Sequence, residues 1–331
     1  MAIPFSVPPA VALARSAAEL PEPAALRGGA LYEPKWDGFR ALVVEDEGGA
    51  TIWSRHGKGL TATFPEIVAA AAAQIPDGCV VDGEIVAWVD GRLSFDTLQQ
   101  RLGSTGIRTE RLAREAPASF VAFDVLAVVG TDVRDLPLQQ RRQLLNELVV
   151  QWEPPLHISM ATEELRLARE WFDELASAGI EGIVAKGAGE SYAGGARNWV
   201  KVKRRETVDV VVGAVIGQIF RPEAVVVGRY DVAGRLHIAG RSSPLSPHVS
   251  RQLGKMLHPA GAGHPWPEVL APGALGGRFT GAREPINLTR VEPVAAEVSA
   301  DAAVSHGSFR HLVRFVRLRP ELDAEDPQLS M

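Results

Sequence analysis

The sequence predicts an α+β chain of two domains: antiparallel sheets with flanking helices over residues 1–205, then a small antiparallel β-barrel over 206–331. Three observations carry this. Short apolar runs set off by Gly and Asp turns recur from residue 30 to residue 203, as strands do. Amphipathic stretches with helical spacing lie between them. After about Arg205 the texture changes to valine-rich alternating runs with many Gly and Pro, the pattern of a small barrel. A length of 331 residues is comfortable for two cores.

In chain order, residues 30–45 read as a strand, a Pro-Lys-Trp-Asp-Gly turn and a second strand, Phe39–Val44. Gly48-Gly49 turns into a third, Thr51–Ser54. Thr63 with Glu66 has the form of a capping box ahead of an alanine-rich helix to Gln74. Val80-Val81 and Ile85–Trp88 flank Asp82-Gly83 and suggest two strands joined tightly. Ser94 is placed to cap a helix to Leu102. Ser119–Val129 is an apolar strand. Leu138–Val149 and Thr162–Ser177 have helical spacing, the second stopping at Gly179. Glu181–Lys186 and Trp199–Lys203 are strands again. In the second domain Val208–Ile216, Ala224–Tyr230 and Leu236–Ile238 read as strands and Arg251–Leu257 as one short helix.

Composition narrows the class. Hydrophobic residues at 46% and charged residues at 23% argue against disorder as the main state. The longest apolar stretches, Val68–Ile75 and Val208–Ile219, fall short of the roughly 20 residues that span a bilayer. No basic segment precedes an apolar run at the N-terminus. The expectation is a cytoplasmic monomer with no membrane. Cys79 stands alone, which excludes an internal disulfide and a cysteine-based zinc site. A net charge of −5 does not advertise a polyanion partner, but a local basic surface is what such a partner feels. Basic residues are nearly all arginine; the only lysines are Lys35, Lys58, Lys186, Lys201, Lys203 and Lys255. Lysine can deprotonate to become a nucleophile and arginine cannot, so the lysines that remain in such a biased chain are worth locating.

Four of them fall in motifs. Glu33-Pro34-Lys35-Trp36-Asp37-Gly38-Phe39-Arg40 puts a lysine on a turn with acids on both sides. It reads either as a hairpin with surface charges or as a nucleophilic lysine near phosphate. Asp82-Gly83-Glu84 reads as a second hairpin turn or as functional carboxylates. Phe123 of Phe123-Asp124 is either core or a stacking ring. In Glu181-Gly182-Ile183-Val184-Ala185-Lys186 the charges are either the solvated ends of a buried strand or site residues. In Trp199-Val200-Lys201-Val202-Lys203 the two lysines share a face with Trp199. Adjacent ammonium groups guard an exposed edge or bracket an anion.

In this order and spacing the motifs resemble the covalent nucleotidyltransferases, the superfamily of ATP-dependent DNA ligases, RNA ligases and mRNA capping enzymes, whose signature is Lys-x-Asp-Gly-x-Arg. Ser54-Arg55-x-Gly57 is similar to the element that follows that signature in DNA ligases. The resemblance runs from about Tyr32 to Arg319 and is strongest to the small C-type ATP-dependent ligases of mycobacteria and to the ligase module of bacterial end-joining proteins. It implies a nucleotidyltransferase (adenylation) domain followed by an OB-fold. It further implies an ATP-dependent DNA ligase acting in repair, with ATP and Mg²⁺ (or Mn²⁺) as cofactors and nicked double-stranded DNA as partner.

By that resemblance Lys35 attacks the α-phosphorus of ATP, AMP passes from it to a 5′-phosphate at a nick, and the 3′-OH displaces AMP. Glu33 would accept from the adenine amino group and Phe123 would stack on the base. Glu84 and Arg40 would reach the ribose. Arg55 would meet the nick phosphate, Lys186, Arg197, Lys201 and Lys203 would complete the nucleotide and phosphate contacts, and Glu84 and Glu181 would be the metal ligands. Whether Glu84 serves ribose or metal stays open. A lysine is almost wholly ammonium at neutral pH, with a pKa of ~10.4. Partial burial, Lys201, Lys203 and a bound metal are expected to favour the neutral amine. The second domain is expected to close over ATP and then clamp DNA, with Arg317 and Arg319 turned to the departing phosphates. The family's Arg-x-Asp-Lys element is altered here: Arg319 matches, Glu321 replaces Asp and Leu322 replaces Lys. The rival readings are an RNA ligase or capping-type enzyme, and a non-catalytic ligase-like DNA-binding protein.

Overall fold

The computed structural model describes residues 1–231, 233–272, 284–301, 304–305, 308–309 and 311–324. The chain divides into two compact units, Met1–Arg204 and Arg205–Met331.

In the first unit the strands are β1 Ala14–Ser16, β2 Ala30–Pro34, β3 Phe39–Asp46, β4 Gly49–Ser54, β5 Cys79–Val89, β6 Arg92–Leu93, β7 Ala118–Val128, β8 Thr131–Asp132, β9 Leu156–Ile158, β10 Gly182–Gly187 and β11 Trp199–Lys203. The helices are α1 Pro65–Gln74, α2 Phe95–Arg101, α3 Ile107–Glu115, α4 Leu138–Leu148 and α5 Leu165–Glu174. They build two sheets. One has four strands in the order β1-β11-β10-β2; the other runs β4-β3-β5-β7-β8, with β6 and β9 at its margins. Its core packs Ile52, Phe64, Ile67, Ile85, Leu98, Phe120 and Leu145 between strands and helices. A second cluster, with Leu42, Val44, Leu126, Phe123 and Trp199, lies where the two sheets face each other.

Several expectations are corrected. β2 and β3 do not form a hairpin: β2 pairs with β10 and β3 with β4 and β5, so Lys35–Gly38 crosses from one sheet to the other. Gly38 makes the crossing possible, because a Cβ there would lie 2.0 Å from the Ile85 carbonyl oxygen. Asp82-Gly83 is not a turn but the middle of one continuous strand, with an irregularity in its pairing to β7. A Cβ on Gly83 would sit 2.5 Å from the Phe120 ring, so glycine serves close packing here rather than a bend. The Thr63–Glu66 capping box is absent: α1 starts at Pro65 without a side-chain cap. Glu66 instead takes Arg101 through both oxygens, at 2.6 and 2.8 Å, and accepts the Ala118 amide. A buried arginine needs a carboxylate more than a helix start needs a cap. The Ser94 cap is present, accepting from the Thr97 amide. The last helix of this unit starts at Leu165 rather than Thr162, because Thr162 is bridged to Tyr32.

The second unit is a five-stranded antiparallel sheet in the order Leu236–Arg241, Arg221–Tyr230, Arg205–Gln218, Thr289–Asp301, Arg314–Leu318. Its two edges meet at one end through a parallel bridge between Ser242 and Val313. The sheet therefore curls on itself around Val210, Val212, Val225, Val227 and Val298. Its helix is Pro247–Leu253, not Arg251–Leu257. Ser246 caps it by accepting from Val249, and Pro247 at the first position presets the backbone. Among the described residues no helix is long and apolar enough to cross a membrane.

Candidate active site

A pocket of about 220 Å³ opens between the two sheets of the first unit. The first wall is the face of the four-stranded sheet. Antiparallel pairing sets Glu33 opposite Val184 and Val184 opposite Lys201, so these three form a row across β2, β10 and β11. Lys186 and Trp199 lie on the same wall. The second wall is Arg40 on β3, Glu84 directly across from it on β5, and Phe123 on β7. Arg55 and Arg197 complete the rim, with Leu13, Ala14 and Trp36.

Lys35 sits at the seam. Its amide donates to the Gly182 carbonyl at 2.8 Å and its carbonyl accepts from the Glu181 amide at 3.0 Å, so the start of β10 and the residue before it pin the backbone on both sides. Its ammonium bonds Glu181, and Lys203 reaches the same carboxylate oxygen at 3.3 Å. The expectation of a neutral amine counted a bound metal beside Lys201 and Lys203; in the free protein Glu181 works against it. Burial lowers the Lys35 pKa, but Glu181, with Glu84 and Asp37 behind it, outweighs that and raises it above the usual lysine value. Glu181 is correspondingly held well below the usual carboxylate range: its burial is outweighed by Lys35 and Lys203. Lys201 is different. Burial and the neighbouring Lys35, Lys203 and Arg55 push it down, and it has no ion-pair partner among the described residues. Arg55 is lowered for the same reasons, by burial, Arg40 and Arg197. Cations gathered without carboxylates to match them are what an anion site looks like before the anion arrives.

Arg40 is fixed in place. Its Nε and Nη2 bond the two oxygens of fully buried Asp82 at 3.0 and 2.6 Å, and its Nη1 reaches the Ala12 carbonyl. Tyr192 donates to the same carboxylate at 2.6 Å. The guanidinium lies 4.9 Å from the Trp199 ring and 5.3 Å from that of Phe123. Phe123 is core and pocket wall at once: it is nearly buried, edge-on to Trp199, and lines the cavity. Lys186 bonds Glu33 at 2.8 Å, both of them buried. That leaves Glu33 Oε1 without a hydrogen-bond partner.

Glu84 makes no hydrogen bond or ion pair among the described residues, and burial pushes its carboxyl up to about 8. Such a group calls for a cation or a donor. Among the described residues no three His, Cys, Asp or Glu side chains converge on a metal position. Two carboxylates, Glu84 and Glu181, still suit a hard divalent ion that keeps much of its water and shares phosphate oxygens.

Of the residues singled out in the sequence, Glu33, Lys35, Arg40, Arg55, Glu84, Phe123, Lys186, Arg197 and Lys201 all line this one pocket. Glu181 joins it through Lys35, and Lys203 through Glu181. Arg319 lies in the second unit, tied to Asp209 at 3.0 Å and to Glu321 at 2.5 Å, and 3.7 Å from Glu297. Arg317 converges on the same Glu297, at 2.9 Å. Sequence reasoning missed Tyr192, the positioning role of Asp82, and the bond from the Trp36 indole to Ser159 at 3.0 Å. Asp82 carried a signal: an acid inside an apolar strand must be satisfied by something.

Comparison with known proteins agrees with this site. The family model described as ATP dependent DNA ligase domain matches residues 12–203. DNA ligase C2 of Mycolicibacterium smegmatis is 34% identical over 342 residues, covering 98% of this chain and 94% of that protein. DNA ligase C of Mycobacterium tuberculosis is 32% identical, covering 98% and 93%. Among solved structures, a Lig E DNA ligase shares the fold at a TM-score of 0.56 and 17% identity, over 93% of this chain and 99% of that one.

Proposed function

The chain belongs to the ATP-dependent DNA ligase family, and from that membership we propose that Lys35 is the residue that carries AMP. The observation that carries this reading is the lysine itself, pinned by its backbone at the seam of a cation-rich pocket. Lys35 Nζ attacks the α-phosphorus, the bond to pyrophosphate breaks, and a phosphoramidate forms. AMP then passes to the 5′-phosphate of a nick, and the 3′-OH displaces it. Splitting one difficult condensation into such parts is what a covalent intermediate achieves.

The walls suit an adenine nucleotide. Glu33 Oε1 is an unspent acceptor for the exocyclic amino group. The Phe123 ring offers a face to the base, and Arg40 with Glu84 lies where a ribose would follow. Arg55, Arg197 and Lys201 stabilise phosphate charge as it builds. The ammonium proton on Lys35 is held by Glu181 in the free protein, so it must be released before attack. A magnesium ion on Glu84 and Glu181 would neutralise phosphate oxygens and disfavour that proton. Arg317, held by Glu297, and Arg319, held by Asp209 and Glu321, are the candidates for the departing pyrophosphate. The direct test is incubation with α-labelled ATP and Mg²⁺, followed by a denaturing gel with and without nicked DNA. Label on the protein that disappears as nicks are sealed supports the reading. A protein never labelled, under conditions where it binds ATP, refutes it.

Two further results are expected. Phe123→Ala should weaken ATP use more than Phe123→Tyr, because a flat ring is what stacks. One such contact is worth about 1–3 kcal/mol on the nucleic-acid scale. Equal KM for ATP in the two folded variants would assign Phe123 to the core alone. Binding to nicked DNA should weaken steeply with salt despite the net charge of −5, because local Arg and Lys release counterions whatever the global charge. A flat salt dependence in a binding titration would mean that DNA is not the polymer bound.

A further inference from the structure

Two polar atoms beside the pocket are shut from solvent and unbonded. They are Glu33 Oε1 and Arg142 Nη1, 3.7 Å apart, too far for a hydrogen bond. The other oxygen of Glu33 is taken by Lys186 at 2.8 Å. The guanidinium of Arg142 is not free to drift, because its Nη2 donates to the Ser159 carbonyl. Glu33 is thus a carboxylate with one oxygen spent and the other faced, but not occupied, by a fixed positive charge. We propose that Arg142 is a positioning residue that sets base specificity. It keeps Glu33 ionised with Oε1 left as an unbonded acceptor, so that a purine with an amino group at C6 is taken and one with a carbonyl there is refused. This rests on the reading of Glu33 as the group that meets the base.

The chemistry follows from protonation. An ionised carboxylate only accepts hydrogen bonds, whereas a protonated one gains a donor. An amino group at C6 donates to the carboxylate. A carbonyl there would set acceptor against acceptor in a buried place, the kind of mismatch that a polar site rejects most strongly. The groups facing Glu33 are Lys186 from β10, Arg142 from α4 and Asp124 from β7, the last already paired with Arg141. Burial pushes the Glu33 carboxyl up, and Lys186 and then Arg142 draw it only part of the way back. Without Arg142 the pKa rises further. The carboxylate, present above that pKa, is then lost as pH falls through it, and the acid that replaces it can donate to a carbonyl. Base choice becomes dependent on pH.

The experiment compares labelling of Lys35 by α-labelled ATP and by α-labelled ITP, which carries a carbonyl at C6. It is run on the whole chain and on Arg142→Met and Arg142→Lys, in buffers from mildly acidic to mildly alkaline. The wild-type protein should prefer ATP throughout. Arg142→Met should prefer it in alkali and lose that preference progressively as the pH falls, over a range in which wild type does not. Arg142→Lys, which keeps the charge, should hold the preference. Melting curves establish folding. Should the methionine variant not fold, Arg142→Gln keeps donors for the Ser159 carbonyl without the charge and is expected to behave the same way. An ATP-to-ITP ratio in the uncharged variant that matches wild type at every pH overturns the proposal. So does a ratio altered equally at every pH, which is the mark of a merely structural role. Absence of label on wild-type Lys35 with either nucleotide would instead overturn the nucleotide reading of the pocket, and this inference with it.

Discussion

Lys35→Arg and Lys35→Ala are both expected to abolish the covalent adenylate, a loss on the order of 10³-fold or more, as removal of a covalent nucleophile does. The arginine variant is the sharper of the two. It keeps a cation for Glu181, which otherwise would be a buried carboxylate left with Lys203 alone. The fold and the local charge balance should therefore survive while the lone pair does not. Because Glu181 raises the Lys35 pKa in the free protein, the neutral fraction at physiological pH is small. It grows about tenfold for each pH unit while the pH stays below that pKa. The initial rate of labelling in wild type should climb with pH through neutrality. AMP found covalently bound to the arginine variant on a denaturing gel would show that another residue is the nucleophile.

The second large effect is on stability. Arg141 and Asp124 are a bidentate pair at 2.8 and 2.9 Å, both essentially without solvent exposure. Arg141 also donates to the carbonyls of Leu136 and Glu190, at 2.6 and 3.0 Å. It thereby ties α4 and the segment after β10 to the strand that carries Phe123. Arg141→Ala strands a charge in the core, which costs about 3–5 kcal/mol. At roughly 2–4 °C per kcal/mol for a unit of this size, the melting temperature should fall by about 10 °C. Replacing both partners with apolar residues, Asp124→Leu with Arg141→Met, should recover much of the loss, because no orphaned charge remains. The check is thermal unfolding of the three variants. A fall of less than about 1 kcal/mol in Arg141→Ala, the usual worth of an exposed pair, would mean that water reaches Asp124 after all.

Much of this was legible in the sequence, for local reasons. Strand periodicity located β10 and β11, and the Ser94 cap located α2, because both signals are carried by neighbouring residues. Partner choice is not local. The segment from Tyr32 to Arg40 has the look of a hairpin, yet β2 finds its partner some 150 residues on, in β10. Asp82-Gly83 has the composition of a turn, and only the Phe120 ring packed on Gly83 shows why it lies flat. Glu66 was assigned to the helix start because the competing claimant, Arg101, lies 35 residues away. The site residues emerged because their spacing is a motif. Arg141, Arg142 and Tyr192 belong to no motif. Arg141 did leave a trace: Leu138, Arg141 and Leu145 follow helical spacing on the buried side of α4, so an arginine occupies a position in the apolar stripe.

The crossing from β2 to β3 has a consequence for how the chain tolerates change. Lys35–Gly38 is the whole distance between the sheet that presents Glu33 and the sheet that presents Arg40, and it is held at both ends by ladder bonds. Chain length therefore acts there as a ruler between the two walls. Apart from Gly38, where any Cβ meets the Ile85 carbonyl, a side chain on that span can be exchanged with effects confined to its own contacts. An added or deleted residue must shift one ladder against the other, and a one-residue slip turns every side chain of a strand to its opposite face. The turn between β3 and β4, which joins neighbours in a single sheet, bears no such constraint. Insertions should therefore be absorbed at Glu47–Gly48 and refused at Trp36–Asp37, although both are short connections between strands.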